Sequence, residues 1–210
     1  MKLEGFAVGS FQVNTYILWD EETLETYIID PGGENYRILE VVEKNKLNVK
    51  AIINTHGHID HIAGIPELQK DLQIPFYIHE ADVPVVQQSA QAAQMFGIDF
   101  TGNPKIDGYL TDGQILTLGK NEIEVLHTPG HSPGGVCFKM ESDVLVGDTL
   151  FANSIGRTDL PGGSYSQLLD SIQKKLMVLD DNMRVYPGHM GSTTIGHEKK
   201  FNPFCNQGNK

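Results

Sequence analysis

Four residues with metal-ligating side chains fall in one short stretch, Thr55-His56-Gly57-His58-Ile59-Asp60-His61. Imidazole nitrogen and carboxylate oxygen are donors that Zn²⁺, Fe and Mn all accept. In a turn, side chains two positions apart can reach one centre, so His56 and His58 can share an ion while Asp60 and His61 point on to a second. Gly57 leaves the backbone room to curl between them. Unpaired imidazoles crowded on a surface repel once protonated, so metal binding accounts for the cluster better than a solvated turn does. Four groups are too few to close two sites. Three further residues of ligand type stand beside glycine where β-like runs end: His131 after Thr128-Pro129-Gly130, Asp148 in Gly147-Asp148-Thr149, and His189 after Pro187-Gly188. The two oxygens of Asp148 suit a bridging position. His79 and His127 read as packing or hydrogen-bonding residues at strand ends, and His197 sits in a polar terminal segment.

The elements that must position these residues read as one domain over residues 1–210. Residues 11–19 and 24–29 carry β-formers on either side of an acidic turn, a hairpin pattern, and Asp30-Pro31-Gly32-Gly33 stops the second run. Residues 34–46 place Ile38, Val41 and Val42 on one helical face. The apolar run 49–54 suits a buried strand and ends directly at the histidine cluster. A helix over 63–72 and a strand over 75–79 follow. Residues 80–109 read as a helix and then an irregular segment (92–109 includes most of it) able to roof a pocket. Strands return at 115–118, 123–127, 136–140 and 144–146. Leu168, Ile172 and Leu176 mark a helix over 164–178, with Ser164 and Gln167 offering a capping box, and 184–186 is a last strand. Two sheets with helices outside satisfy this order, which makes the fold class α/β, a four-layer αββα sandwich.

Composition narrows the function classes. The chain has 210 residues, with Lys+Arg 16 against Asp+Glu 27 and a net charge of −11. That balance argues against nucleic acid or an anionic membrane as partner, since both call for a basic footprint. The first ten residues resemble neither a signal peptide nor an anchor, and no stretch approaches the roughly 20 apolar residues of a spanning helix. Cys137 and Cys205 make no disulfide framework, and Cys137, inside an apolar run, reads as core. A cytoplasmic location is the expectation. Nothing in the sequence bears on oligomeric state.

The motif at 55–61, followed in order by His131, Gly147-Asp148 and Pro187-Gly188-His189, resembles that of the metallo-β-lactamase-fold hydrolases. The resemblance runs from Val13-Asn14-Thr15-Tyr16 through Asp30-Pro31-Gly32 to Asn202-Pro203-Phe204. It implies a dinuclear site at the sheet edges. One metal would take His56, His58 and His131 and the other Asp60, His61 and His189, with Asp148 bridging and Asp30 standing behind the ligands. Within that superfamily the chain is similar to the short bacterial relatives of glyoxalase II. The similarity rests on Gly147-Asp148-Thr149-Leu150-Phe151, on Ile155-Gly156-Arg157-Thr158-Asp159-Leu160-Pro161-Gly162-Gly163 and on Thr193-Thr194-Ile195-Gly196-His197-Glu198-Lys199.

What this implies is a metal-dependent hydrolase that opens S-D-lactoylglutathione or a related small acyl-thiol with a hydroxide bridging two divalent ions. Zinc is foremost, and iron and manganese suit the same donors. Asp60 would be catalytic as well as a ligand, orienting the nucleophile. Arg157 would bind substrate by pairing with the glycine-end carboxylate of glutathione, or else it pairs with Asp159. Two departures from full-length glyoxalase II predict a weaker or different grip on glutathione. Asp159 stands where those enzymes carry tyrosine, and only a short tail follows His189 in place of a helical domain. The same ligand motif also fits a mononuclear iron persulfide dioxygenase, a lactonase or β-lactamase-like hydrolase, or a metal-binding scaffold without turnover. Pro161-Gly162-Gly163 and Thr193-Thr194-Ile195-Gly196 favour the thioester hydrolase.

Overall fold

The segment Val13–Trp19 is buried along most of its length, with Tyr16 and Leu18 in one apolar cluster and Ile17 and Trp19 in another. A strand with both faces apolar must lie between two layers. The computed structural model, which describes residues 1–205, shows those layers. The first sheet has the order β1 (Lys2–Val8), β2 (Val13–Trp19), β3 (Glu25–Ile29), β4 (Asn48–Ile53), β5 (Phe76–His79) and β6 (Gly108–Leu110). Its first three strands are antiparallel, and β3 to β6 run parallel. The second sheet is built from β7 (Ile115–Leu118), β8 (Asn121–His127), β9 (Val136–Lys139) and β10 (Asp143–Gly147). After the small hairpin of β11 (Leu150–Phe151) and β12 (Ser154–Ile155), it is completed by β13 (Arg184–Pro187) and β14 (Thr193–Thr194). The order is β14-β13-β10-β9-β8-β7, with β10 and β13 parallel and the other pairs antiparallel.

Three apolar clusters fill the three gaps of an αββα sandwich. Leu18, Ile53 and Leu110 from the first sheet meet Ile123, Phe138 and Leu145 from the second. Ile17, Ile52 and Phe76 on the outer face of the first sheet meet Ile38 of α1 (Asn35–Asn45), Ile62 of α2 (Ile59–Ile62), Leu68 of α3 (Ile65–Leu72), Val86 of α4 (Val83–Gln87) and Ala93 of α5 (Ser89–Phe96). Cys137 and Val146 on the outer face of the second sheet meet Leu168 of α6 (Tyr165–Ser171) and Ile195 of α7 (Ile195–Phe201).

The sandwich expected from the pattern is present, with local differences. Residues 2–8 form an edge strand paired along all of β2, and only from Val13 does the run expected at 11–19 extend. The helix expected at 63–72 is preceded by α2, so Asp60 and His61 are already helical. The long helix at 164–178 is α6 continued by a π-helical turn, Ile172–Leu176. α7 covers a segment read as polar tail. Beyond α5, Ile98, Phe100 and Ile106 pack against the outer core of the first sheet, while Phe96 makes an edge contact with Phe11 at 5.7 Å.

Phe138 lies between the two sheets and is fully buried. Phe138→Ala is expected to lower unfolding stability by about 3–5 kcal/mol, read as a shift in the urea midpoint at unchanged slope.

Candidate metal centre

Every residue of ligand type singled out above follows the C-terminal end of a strand. Asp30 comes after β3, the 56–61 cluster after β4, His131 after β8, Asp148 after β10 and His189 after β13. β3 and β4 are parallel, as are β10 and β13, and β8 is antiparallel to β9, which is antiparallel to β10. These strands therefore deliver their ends to one rim, where loops can converge on a ligand.

Two trios of donor atoms form there. His131 Nε2 lies 2.9 Å from His58 Nδ1 and 3.2 Å from His56 Nε2. His189 Nε2 lies 3.3 Å from Asp60 Oδ2 and 3.4 Å from His61 Nε2. Within each trio the donor atoms all fall within 4.8 Å of one another. The Asp148 carboxylate faces both: Oδ1 is 3.5 Å from His61 Nε2, and Oδ2 is 3.5 Å from His189 Nε2 and 3.6 Å from His131 Nε2. Asp148 Oδ1 is buried and makes no hydrogen bond, which is costly for a carboxylate oxygen unless a cation meets it. The chain clears space for this oxygen at Gly188, where a Cβ would stand 2.2 Å from Asp148 Oδ1 and 2.7 Å from His61 Cε1.

Hydrogen bonds behind the rings assign the tautomers. His131 Nδ1–H donates to the Arg157 carbonyl at 2.8 Å, His189 Nδ1–H to the Phe11 carbonyl at 3.0 Å, and His61 Nδ1–H to Asp30 Oδ2 at 3.0 Å. His56 Nδ1–H donates to Thr55 Oγ1 at 3.1 Å. Each bond turns Nε2 inward. Asp30 also accepts the Thr55 N–H at 2.8 Å and the Thr55 hydroxyl at 2.6 Å. Asp30, His56 and His61 are close enough to form a third trio, but these hydrogen bonds already occupy the Asp30 carboxylate, so it orients rings from behind.

The two trios differ in charge. Burial holds His56 well below the usual histidine value and takes His58 down to about 3, with His131 adding repulsion. Burial also takes His131 down to about 4. His61 moves the other way: burial opposes its charge, but Asp148, Asp60 and Asp30 outweigh it and lift the ring to about 10. Burial likewise opposes the ionisation of Asp60, and His61 and His189 outweigh it, holding the carboxyl well below its usual range. Burial raises Asp148, partly offset by His61 and His189.

Several supporting residues were not evident as such in the sequence. Asn14 Nδ2–H donates to the carbonyls of Pro187 at 3.0 Å and Met190 at 2.8 Å, and the Tyr16 hydroxyl donates to Pro187 at 2.7 Å. Strand β2 thus fixes the loop that carries His189. Asp82, fully buried, accepts hydrogen bonds from Gly57 and Ser132 beside the ligands. An asparagine or tyrosine in a strand and an acid in a turn carry no signal for such roles. Arg157 pairs bidentately with Asp159, at 2.7 and 2.9 Å, on the surface. The remaining histidines stand apart: His79 and His127 stack at 4.0 Å, and His197 Nε2 meets Asn153 Oδ1 at 3.0 Å. Cys137 is fully buried, and burial pushes its thiol up to about 11, so it is an inert core residue.

Two mixed sheets between helical layers, with paired His/Asp trios sharing a carboxylate at one rim, define a metallo-hydrolase of the αββα class. The chain belongs to the metallo-β-lactamase superfamily, whose profile matches residues 8–189. It is 40% identical over 215 residues to the hydroxyacylglutathione hydrolase GloC of Haemophilus influenzae, covering 98% of this chain and 99% of that protein. Among solved structures, BLEG-1 B3 metallo-β-lactamase superposes with a TM-score of 0.89 at 36% identity, over 97% of this chain and 99% of that one. TTHA1623 in a di-iron-bound form superposes with a TM-score of 0.87 at 36% identity, over 96% and 99%.

The charge difference between the trios has a measurable consequence. Burial holds His56, His58 and His131 below the usual histidine range, whereas neighbouring carboxylates lift both His61 and His189 above it, so a cation entering the second trio must displace protons there. Calorimetric titration of metal-free protein with Zn²⁺ in buffers of different ionisation enthalpy is expected to show proton release confined to one of two binding events. Gly188→Ala is expected to remove the binding event that needs Asp148 Oδ1 while the far-UV circular dichroism stays unchanged.

Proposed function

We propose that this protein hydrolyses small acyl-thiol esters of the S-D-lactoylglutathione kind. The observation that carries this reading is the full-length 40% identity to a hydroxyacylglutathione hydrolase, joined to a rim whose donor set fits two divalent cations. His56, His58 and His131 would hold one, Asp60, His61 and His189 the other, and Asp148 both. Bound there, such ions lower the pKa of water toward neutrality and polarise a carbonyl oxygen. Zinc, iron and manganese all suit these donors, and the similar structure of TTHA1623 is of a di-iron-bound form.

The remaining steps belong to this chain's own side chains. Asp60 is the ligand-type carboxylate with an accessible edge, about a fifth of its side chain exposed, and it stays ionised beside His61 and His189. It can accept a hydrogen bond from the attacking water and so aim the oxygen at the carbonyl. A thiolate departs without help from a general acid, because a free thiol has a pKa of about 8.5. Arg157 lies one residue beyond Gly156, and its carbonyl already holds His131. Its side-chain pair with Asp159 is solvent-exposed, and exposed pairs of this kind contribute little. A substrate carboxylate can therefore take the place of Asp159 at little cost.

No helix among the described residues is long and apolar enough to cross a membrane. The acidic chain and its two free, buried cysteines fit a cytoplasmic enzyme of small thiol esters, not a nucleic-acid partner. A second reading, β-lactam hydrolysis, draws support from the likeness to BLEG-1.

The test is a panel on one metal-loaded preparation: S-D-lactoylglutathione hydrolysis, turnover of a chromogenic cephalosporin, and oxygen uptake with glutathione persulfide. Thioester hydrolysis is expected to dominate. Asp148→Ala is expected to lower kcat by more than the ~100-fold that loss of an outer partner of a ligand typically costs. Arg157→Ala is expected to raise KM with kcat nearly unchanged, the mark of lost uniform binding. Oxygen uptake without hydrolysis, or cephalosporin turnover alone, would overturn the reading.

A further inference from the structure

Asp82 closes the single 3₁₀ turn Glu80–Asp82 after β5. It is fully buried and belongs to none of the donor trios. Its carboxylate nevertheless grips both loops that supply the three-histidine trio. Oδ2 accepts the Gly57 N–H at 2.8 Å and the Ser132 hydroxyl at 2.8 Å, and Oδ1 accepts the Gly134 N–H. Gly57 lies between His56 and His58, and Ser132 follows His131 directly. Both loops approach so closely that neither glycine has room for a side chain. A Cβ on Gly57 would stand 2.9 Å from Val86 and 3.3 Å from the Asp82 carbonyl oxygen. One on Gly134 would stand 2.7 Å from the Asp82 nitrogen and 2.8 Å from its Cγ.

A buried carboxylate is costly unless donors converge on it, and here the donors come from two loops about 75 residues apart in sequence. An apolar side chain could fill the same space, but it would not fix either backbone to a point. The carboxylate does so on both sides at once. The spacing it sets is that between His58 Nδ1 and His131 Nε2, 2.9 Å apart. Asp30 has the corresponding place behind His61, at 3.0 Å.

We propose that Asp82 is a positioning residue that fixes the His56-Gly57-His58 loop against the His131-Ser132 loop and thereby sets the cation affinity of the three-histidine trio. The Asp60-His61-His189 trio is largely independent of it. This inference rests on the reading that both trios hold cations, but not on which substrate the enzyme takes.

The test uses metal and no substrate. Metal-free full-length protein is titrated with Zn²⁺ by calorimetry, and side-chain ¹H–¹⁵N spectra of the histidines show which rings are bound at each step. Asp82→Asn is expected to weaken one of the two equivalents by about 10–100-fold, with the loss on the His56, His58 and His131 signals and not on His61 and His189. Ser132→Ala keeps the carboxylate and removes one donor, so a smaller loss on the same signals is expected. It also carries the test if Asp82→Asn fails to fold, which near-ultraviolet circular dichroism of the metal-free variants reports. Equal weakening of both equivalents, no weakening, or a loss on His61 and His189 would overturn the inference. Wild-type protein that binds two Zn²⁺ but leaves S-D-lactoylglutathione intact overturns the proposed function alone, because the Asp82 titration still decides here. Wild-type protein that takes up no Zn²⁺ overturns both.

Discussion

The site is organised around one buried carboxylate. Asp148 sits at the end of β10 facing nitrogens of both donor trios, with an oxygen that no hydrogen bond satisfies. An ionised carboxylate so placed is costly in a folded chain unless positive charge compensates it, and burial accordingly raises its pKa. The surroundings follow from this requirement. His61, lifted to about 10 by the carboxylates around it despite its burial, supplies part of the charge in the metal-free protein. Gly188 leaves the oxygen uncovered. Parallel pairing of β10 with β13 sets the loop bearing His189 beside the loop bearing Asp148.

Because the rim is assembled from loops, rigidity has to come from behind it. Two buried carboxylates act on different loops of it. Asp30 binds Thr55 and His61, and Asp82 binds Gly57, Ser132 and Gly134. Strand β2 contributes a third brace through Asn14 and Tyr16 against Pro187. Each brace ends in a loop that carries ligand-type residues, so the imidazoles are oriented before any cation arrives. Preorganisation of this sort reduces what binding must spend on ordering side chains. It also leaves a neutral three-histidine trio beside one that is already an ion network.

Much of this was legible in the sequence because the ligand-type residues are local signals. His56, His58, Asp60 and His61 are adjacent, and His131, Asp148 and His189 each follow an apolar run and a glycine; the structure brings all seven to one rim. The apolar run at 49–54 likewise marked a buried strand, which is β4. Harder to see were elements defined by their partners. β1 is a half-exposed edge strand with Gly5 in it, and only its pairing with β2 makes it a strand. α7 is short and contains Gly196, and its cap, Thr194, accepts the His197 N–H. Asp82 follows Glu80-Ala81 and looks like any turn acid; its partners lie 25 and about 50 residues away, so nothing local reveals it. Arg157 was legible as a residue with two possible partners, and the structure shows it with Asp159.

The most direct measurement of the central claim is a crystal structure of the metal-loaded protein with anomalous differences collected at the absorption edge of the bound metal. Two peaks are expected, one bounded by His56, His58 and His131, the other by Asp60, His61 and His189, with an oxygen of Asp148 at each. A single peak, or one held by Asp30 in place of Asp148, would contradict it.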